Sequence, residues 1–337
     1  MRKSLYSITL AVVLASCATQ TPKTKAPVPQ PKPKVEKVHP TAPPVAKQPA
    51  PNSAKPEYYN VNIADAAKND NTISYGSLVA ANPQGYVISR TYFPAIGQNF
   101  RQRYLILHYT ALDDDKSLTV LTQQSVSAHY LVGTQDDNEI YQLVDENKRA
   151  YHAGISSWRK DAQLNDTSIG IEIVNRGYTA DAAGNRTFYA YPEHQFRKVA
   201  ALAKDIVTRY MIPPTNVLGH SDVAPTRKQD PGPFFPWKRL YDEYGIGMWY
   251  DDDVKTQLQE QLLNFDLDKT QPTFITNFQQ QLASFGYDLR STGLWDTPTR
   301  KTIEAFQYHF RPQLADGNLD AETYAILLAL LQKYPAK

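Results

Sequence analysis

The chain contains seven histidines, and two of them stand where a short apolar run gives way to polar residues. His108 closes the run Arg103-Tyr104-Leu105-Ile106-Leu107-His108, and His220 lies in Leu218-Gly219-His220-Ser221-Asp222. Either one alone is more often a structural histidine than a ligand. Ten residues beyond His220 comes Lys228-Gln229-Asp230-Pro231-Gly232-Pro233, a carboxylate in a segment stiffened by prolines. Two imidazoles and one carboxylate make a catalytic zinc set that leaves the fourth position for water or substrate. Other histidines have ordinary explanations: His39 in a proline-rich stretch, His194 at a helix start, His309 on a C-terminal helix. For His129, at the start of a strand, packing or support of a neighbour is the favoured role.

The elements that must position these groups follow from apolar periodicity. Residues 103–110 read as a buried strand delivering His108 at its carboxyl end. After the polar Asp113 to Asp115, Leu118, Leu121, Ser125 and Val126 recur near the helical period. Next, 129–132 and 139–144 flank Gln135-Asp136-Asp137-Asn138, the composition of a hairpin turn. Ser168-Ile169-Gly170-Ile171-Glu172-Ile173-Val174 alternates, isoleucines on one face and Glu172 on the other. A long helix follows Pro192, with Phe196, Val199, Ala203, Ile206, Val207 and Tyr210 on one stripe. Together these predict an α/β domain over 57–250, a central mixed sheet flanked by helices. Beyond Asp251-Asp252-Asp253 only helical patterns remain, so 251–337 are expected to form a small all-α three-helix domain.

Six motifs in order carry a resemblance. They are Leu-His-Tyr-Thr at 107–110, Ser-Ala-His-Tyr-Leu-Val at 127–132, Tyr-His-Ala-Gly at 151–154, Ser-Ile-Gly-Ile-Glu at 168–172, Gly-His-Ser-Asp at 219–222 and Lys-Gln-Asp-Pro-Gly-Pro at 228–233. The chain resembles the zinc N-acetylmuramoyl-L-alanine amidases, a family that also includes phage lysozyme-type amidases and peptidoglycan recognition proteins. The resemblance implies hydrolysis of the amide between the lactyl group of N-acetylmuramic acid and the L-alanine of the stem peptide. It places Zn2+ on His108, His220 and Asp230, makes Glu172 the general base and gives Lys228 the oxyanion. Some relatives carry Cys as the third ligand and a Tyr just before the hairpin histidine. Here those positions are Asp230 and Ala128, so the role of that Tyr falls to Glu172. Elementary chemistry agrees: zinc lowers the pKa of bound water towards about 7, a carboxylate can shuttle the proton to a poor amide leaving group, and an ammonium neutralises the carbonyl oxygen. His152, Asn165, Arg176 and Trp158 are candidate substrate contacts, and each has an equally good structural explanation.

The C-terminal segment contains Phe278-Gln279-Gln280-Gln281-Leu282, Phe285-Gly286-Tyr287, Gly293-Leu294-Trp295-Asp296 and Asp316-Gly317-Asn318-Leu319-Asp320, and is similar to the three-helix peptidoglycan-binding domains found beside wall hydrolases. As a second wall-binding module it is expected to raise activity on polymer more than on small muropeptides. Two rivals from other classes stay open: a non-catalytic peptidoglycan receptor, discriminated by loss of the third ligand, and a structural wall-tethering lipoprotein, which leaves the motifs unexplained.

The N-terminal residues read as targeting. Arg2 and Lys3, an apolar run from Leu5 to Leu14 and then Leu14-Ala15-Ser16-Cys17 have the form of a lipoprotein signal peptide, residues 1–16, with Cys17 the lipidated residue. Cys17 is the sole cysteine, which excludes a disulfide framework or thiolate metal site. Residues 17–56, rich in Pro and Lys, read as an extended tether reaching on the order of 100 Å. Ala18 rather than Asp after the cysteine suggests, by resemblance to lipoprotein sorting in enteric-type bacteria, the periplasmic face of an outer membrane. The formal net charge of +2 gives no reason to expect nucleic acid as a partner. The expected partners are peptidoglycan or muropeptides and, through the anchor, a membrane; a monomer is expected.

Overall fold

In the computed structural model, residues 84–86, 97, 99–265 and 267–335 are described. The signal peptide, Cys17 and the tether lie outside them, as does most of 57–98.

Five strands form a mixed sheet. They are β1 (Tyr104–Tyr109), β2 (Tyr130–Val132), β3 (Tyr141–Gln142), β6 (Ser168–Ile173) and β9 (Val217–Gly219), in the order β3-β2-β6-β1-β9. Only the β2–β3 hairpin is antiparallel; β2, β6, β1 and β9 run parallel. Two short hairpins stand apart, β4 (Ser157–Trp158) with β5 (Asp161–Ala162), and β7 (Tyr178–Ala180) with β8 (Arg186–Phe188). Helix α1 (Asp114–Gln123) follows β1, and α2 (Glu193–Arg209) crosses back to β9. The four-residue α3 (His220–Val223) continues directly from β9, so His220 opens a helix rather than a loop, and α4 (Trp237–Tyr244) closes the α/β part.

The period-two pattern of β6 is realised literally. Ile169, Ile171 and Ile173 are fully buried on one face, against the stripe of α2 formed by Phe196, Val199, Ala203 and Ile206. The other face carries Gly170 and Glu172. Helix α1 departs from the predicted stripe. Asp113 caps it by accepting from the Lys116 amide, and it ends at Gln123. Ser117 and Leu121 are therefore its buried positions, while Leu118 is 40% exposed.

Four helices follow: α5 (Asp252–Leu262), α6 (Pro272–Phe285), α7 (Thr297–Phe310) and α8 (Ala321–Lys333). Asp296 and Asp320 cap α7 and α8 by accepting from Thr299 and Thr323 amides. The expected three helices are α6 to α8, and α5 lies against α8 as a fourth. Their core is continuous with that of the sheet. Trp158, fully buried, packs edge-on against Phe285 and Tyr287, with ring centroids 5.8 and 5.1 Å away. A Cβ on Gly286 would stand 2.5 Å from the Trp158 indole, so only glycine lets α6 approach this closely.

Candidate metal centre and active site

The carboxyl ends of β6, β1 and β9 are neighbours, and each delivers one functional position. In register, His108 of β1 lies beside Glu172 of β6, and Leu107 lies beside Gly219, so His220 follows next to His108. Asp230 arrives from the loop after α3, held by the Ser221 amide donating to its carbonyl at 2.9 Å. Parallel strands converging on one edge make a crevice there.

Three donor atoms meet in that crevice. His108 Nδ1, His220 Nδ1 and Asp230 Oδ2 are each 3.0 Å from the other two, and all three residues are buried. The outer ring nitrogens decide the tautomers. Ser168 donates its hydroxyl to Leu164 O at 2.6 Å, so its Oγ accepts from His152 Nε2 at 3.1 Å. His152 Nδ1 is then an acceptor for the Nε2–H of His108, 2.9 Å away, which leaves the His108 Nδ1 lone pair facing the centre. His220 Nε2–H donates to Ala153 O at 3.0 Å, and its Nδ1 is freed in the same way. Burial and the neighbouring His220 push His108 down to about 4, against the pull of Asp230. Burial opposes the charge on Asp230, yet the two imidazoles hold it well below the ordinary carboxylate range. A neutral His108 and an ionised Asp230 are in the protonation states a metal requires. The donor set, its tight spacing and its oriented outer nitrogens fit a zinc ion.

A cavity of about 390 Å³ opens over this cluster, lined also by Glu172, Lys228, Tyr109, Tyr151, Tyr178 and Arg227. Glu172 Oε2 is buried without a hydrogen-bond partner among the described residues. Burial first, and then the charge of Asp230, raise its carboxyl to about 8, while the Lys228 ammonium acts in the opposite direction. An unpartnered carboxyl beside such a cluster has the surroundings that proton transfer requires.

Residues 98–233 match the N-acetylmuramoyl-L-alanine amidase family, and residues 271–327 match a peptidoglycan binding domain family. N-acetylmuramoyl-L-alanine amidase AmiD of Escherichia coli K12 is 45% identical over 242 residues, 69% of this chain and 84% of that protein. The chain belongs to the N-acetylmuramoyl-L-alanine amidases. Two solved structures align over most of it. AmpDh3 from Pseudomonas aeruginosa is 42% identical with a TM-score of 0.67, covering 74% of this chain and 99% of that one. Escherichia coli AmiD in complex with the substrate anhydro-N-acetylmuramic acid-L-Ala-D-gamma-Glu-L-Lys is 41% identical with a TM-score of 0.67, covering 76% and 98%.

Of the candidate substrate contacts in this amidase, His152 lines the cavity, but both its ring nitrogens are engaged and its ring lies under Gly170. Two others are corrected, and the third lies outside the cavity lining. Trp158 offers no face to a sugar, being fully buried with its indole N–H donated to Thr215 O. Asn165 is buried, and its Oδ1 accepts from the His152 and Ala153 amides, so it holds the loop beneath the cluster. Arg176, three residues past the carboxyl end of β6, is exposed and does not line the cavity. His129 has the expected support role: Nδ1 accepts from the Gly170 amide and Nε2 donates to Lys148 O. Sequence reading missed Tyr109, Tyr151, Tyr178 and Arg227, although Tyr109, Tyr151 and Arg227 each adjoin a residue it singled out. It also left Asp222 without a role and read His309 as an ordinary helix residue.

Proposed function

We propose that this amidase is a zinc enzyme acting on muropeptides or peptidoglycan, with His108, His220 and Asp230 as ligands. The observation that carries the reading is the three-donor cluster at 3.0 Å with each histidine's second nitrogen already hydrogen-bonded. Bound there, zinc supplies Lewis-acid activation of water and of the scissile carbonyl. Glu172, which burial keeps protonated in the metal-free chain and a bound cation draws back to its ionised form, takes the proton of the attacking water and passes it to the departing alanine nitrogen, because an amide leaves poorly as an anion. Lys228, two residues before Asp230 on the same loop, offsets negative charge growing on the carbonyl oxygen. Relatives complexed with anhydro-muramic peptides support muropeptides as the substrate class. We place the change from catalytic to wall-binding region near residue 250.

Chelation abolishes hydrolysis in this reading and zinc restores it. Mass spectrometry of digested wall and of soluble muropeptides identifies the bond cut; full turnover by protein shown to be metal-free overturns the mechanism. The anchor reading rests on Leu14-Ala15-Ser16-Cys17. Several acyl chains, at about 0.8 kcal/mol per buried methylene, would hold the enzyme at the periplasmic face of the outer membrane. Cys17→Ala then releases it from membranes with unchanged activity on muropeptides, whereas a variant that still pelleted with membranes after a high-salt wash would remove lipidation as the anchor.

A further inference from the structure

Asp222 lies two residues past His220 and is 1% exposed. Its Oδ2 accepts from the amide of Gly219 at 2.8 Å, closing the turn that turns β9 into α3 and presents His220. That single bond would suffice to fix the start of a four-residue helix. Asp222 nevertheless takes two more donors, both from the C-terminal bundle. Tyr287, following α6, donates its hydroxyl to Oδ1 at 2.8 Å. His309, on α7, donates Nδ1–H to Oδ2 at 2.7 Å. The His309 ring is itself clamped, stacked on Trp237 at 3.9 Å and on Phe310 at 4.0 Å.

We propose that Asp222 is a positioning residue for His220, and that Tyr287 and His309 act through it to let the C-terminal bundle set the metal site. A buried carboxylate stripped of two of three donors must rotate or recruit water, since leaving charge unpaired in the interior is costly. Either adjustment competes with the bond to Gly219 and loosens the backbone that aims His220 Nδ1. The coupling is reciprocal by thermodynamic necessity: what docks the bundle tightens metal binding, and metal binding tightens docking. The C-terminal bundle is thus part of the metal site's support, beyond any contact with wall polymer.

This inference rests on His220 being a zinc ligand, so the experiment includes His220→Ala. Zinc affinity of the full chain is measured by competition with a chromophoric chelator, alongside the thermal midpoint, for Tyr287→Phe, His309→Leu, His309→Asn and Glu304→Gln. Tyr287→Phe and His309→Leu keep apolar volume and lose the donor; each is expected to weaken zinc binding about 10-fold, the lower end for loss of a group that supports a ligand. His309→Asn keeps a donor near the Nδ1 position while losing the stacked ring, so its affinity stays close to wild type although its midpoint falls. Glu304→Gln removes the charge from the Arg186–Glu304 ion pair, a bundle contact that does not involve Asp222, and lowers the midpoint without moving zinc affinity. Affinity that follows the midpoint across the set, or an unchanged affinity in Tyr287→Phe, overturns the proposal. Should His309→Leu not fold, Tyr287→Phe, which removes one oxygen atom, decides alone. Zinc bound as tightly by His220→Ala as by wild type would instead overturn the ligand assignment.

Discussion

In the proposed mechanism Glu172 carries the proton and binds no metal. It lies in register beside His108, yet its Oε2 has no partner among the described residues, while His108, His220 and Asp230 turn their lone pairs on one point. Glu172→Gln keeps the shape and the hydrogen-bonding capacity but cannot take a proton. It is expected to retain stoichiometric zinc and a near-normal KM on a soluble muropeptide while kcat drops about 100-fold or more, the scale for a positioned general base. Steady-state kinetics with metal analysis on the same sample checks this, and near-normal kcat would move the base elsewhere. His152 is a poor substitute because both its nitrogens are already committed to His108 and Ser168. At this scale the three residues that cluster were legible in the sequence, because each stands at the end of an apolar run or in a proline-stiffened motif. The roles of Asn165 and Trp158 were not, since what decides them is a partner 12 or more positions away.

The elements that carry the site are held from behind by a buried ionic knot. Glu146, in the loop after β3, accepts from Arg209 through both guanidinium arms at 2.5 and 2.8 Å, and from the hydroxyls of Tyr130 on β2 and Tyr210 after α2 at 2.6 Å each. Burial works against its charge, but these four bonds outweigh burial and hold the carboxyl below its ordinary value of 4.5. A carboxyl depressed on folding stabilises the native state fully above its unfolded pKa, and that contribution is lost as pH falls through the folded value. Glu146→Gln is therefore expected to cost about 3–5 kcal/mol at neutral pH, the scale for breaking a buried pair. Its thermal midpoint should approach that of wild type as pH is lowered past 4.5; a gap between the two that held constant from pH 7 to pH 3 would contradict the assignment. No periodicity announces such a knot. The strands and α2 were readable from alternation and the 3.6-residue stripe, whereas the short hairpins β4–β5 and β7–β8, two or three residues per strand, carry too little pattern to be read.

At the scale of the whole molecule, composition alone divides the chain near residue 250, and the packing joins what composition divides. Trp158 of β4 is buried by Phe285, Gly286 and Tyr287, Arg186 of β8 pairs with Glu304 and Tyr308, and Asp222 takes donors from Tyr287 and His309. An amphipathic helix signals that it has an apolar face without naming its partner, so a module that merely tethers and one that buttresses look alike in sequence. The two differ sharply on truncation. A separable wall-binding module, once removed, leaves the midpoint unchanged and slows hydrolysis of insoluble wall only, because a small muropeptide needs no help to reach the site. Removing residues 251–337 from this fold uncovers the Trp158 ring, whose lost packing is comparable to a large aromatic deletion of about 3–5 kcal/mol, and leaves Asp222 with Gly219 as its remaining donor. The expected outcome is a lower thermal midpoint, weaker zinc binding and a loss of muropeptide hydrolysis alongside the loss on wall. Measuring both rates, the midpoint and the zinc affinity of the truncated chain tests it. An unaltered muropeptide rate at an unaltered midpoint would show that the contacts across this seam contribute nothing to the catalytic half, and that the bundle acts on polymer by proximity alone.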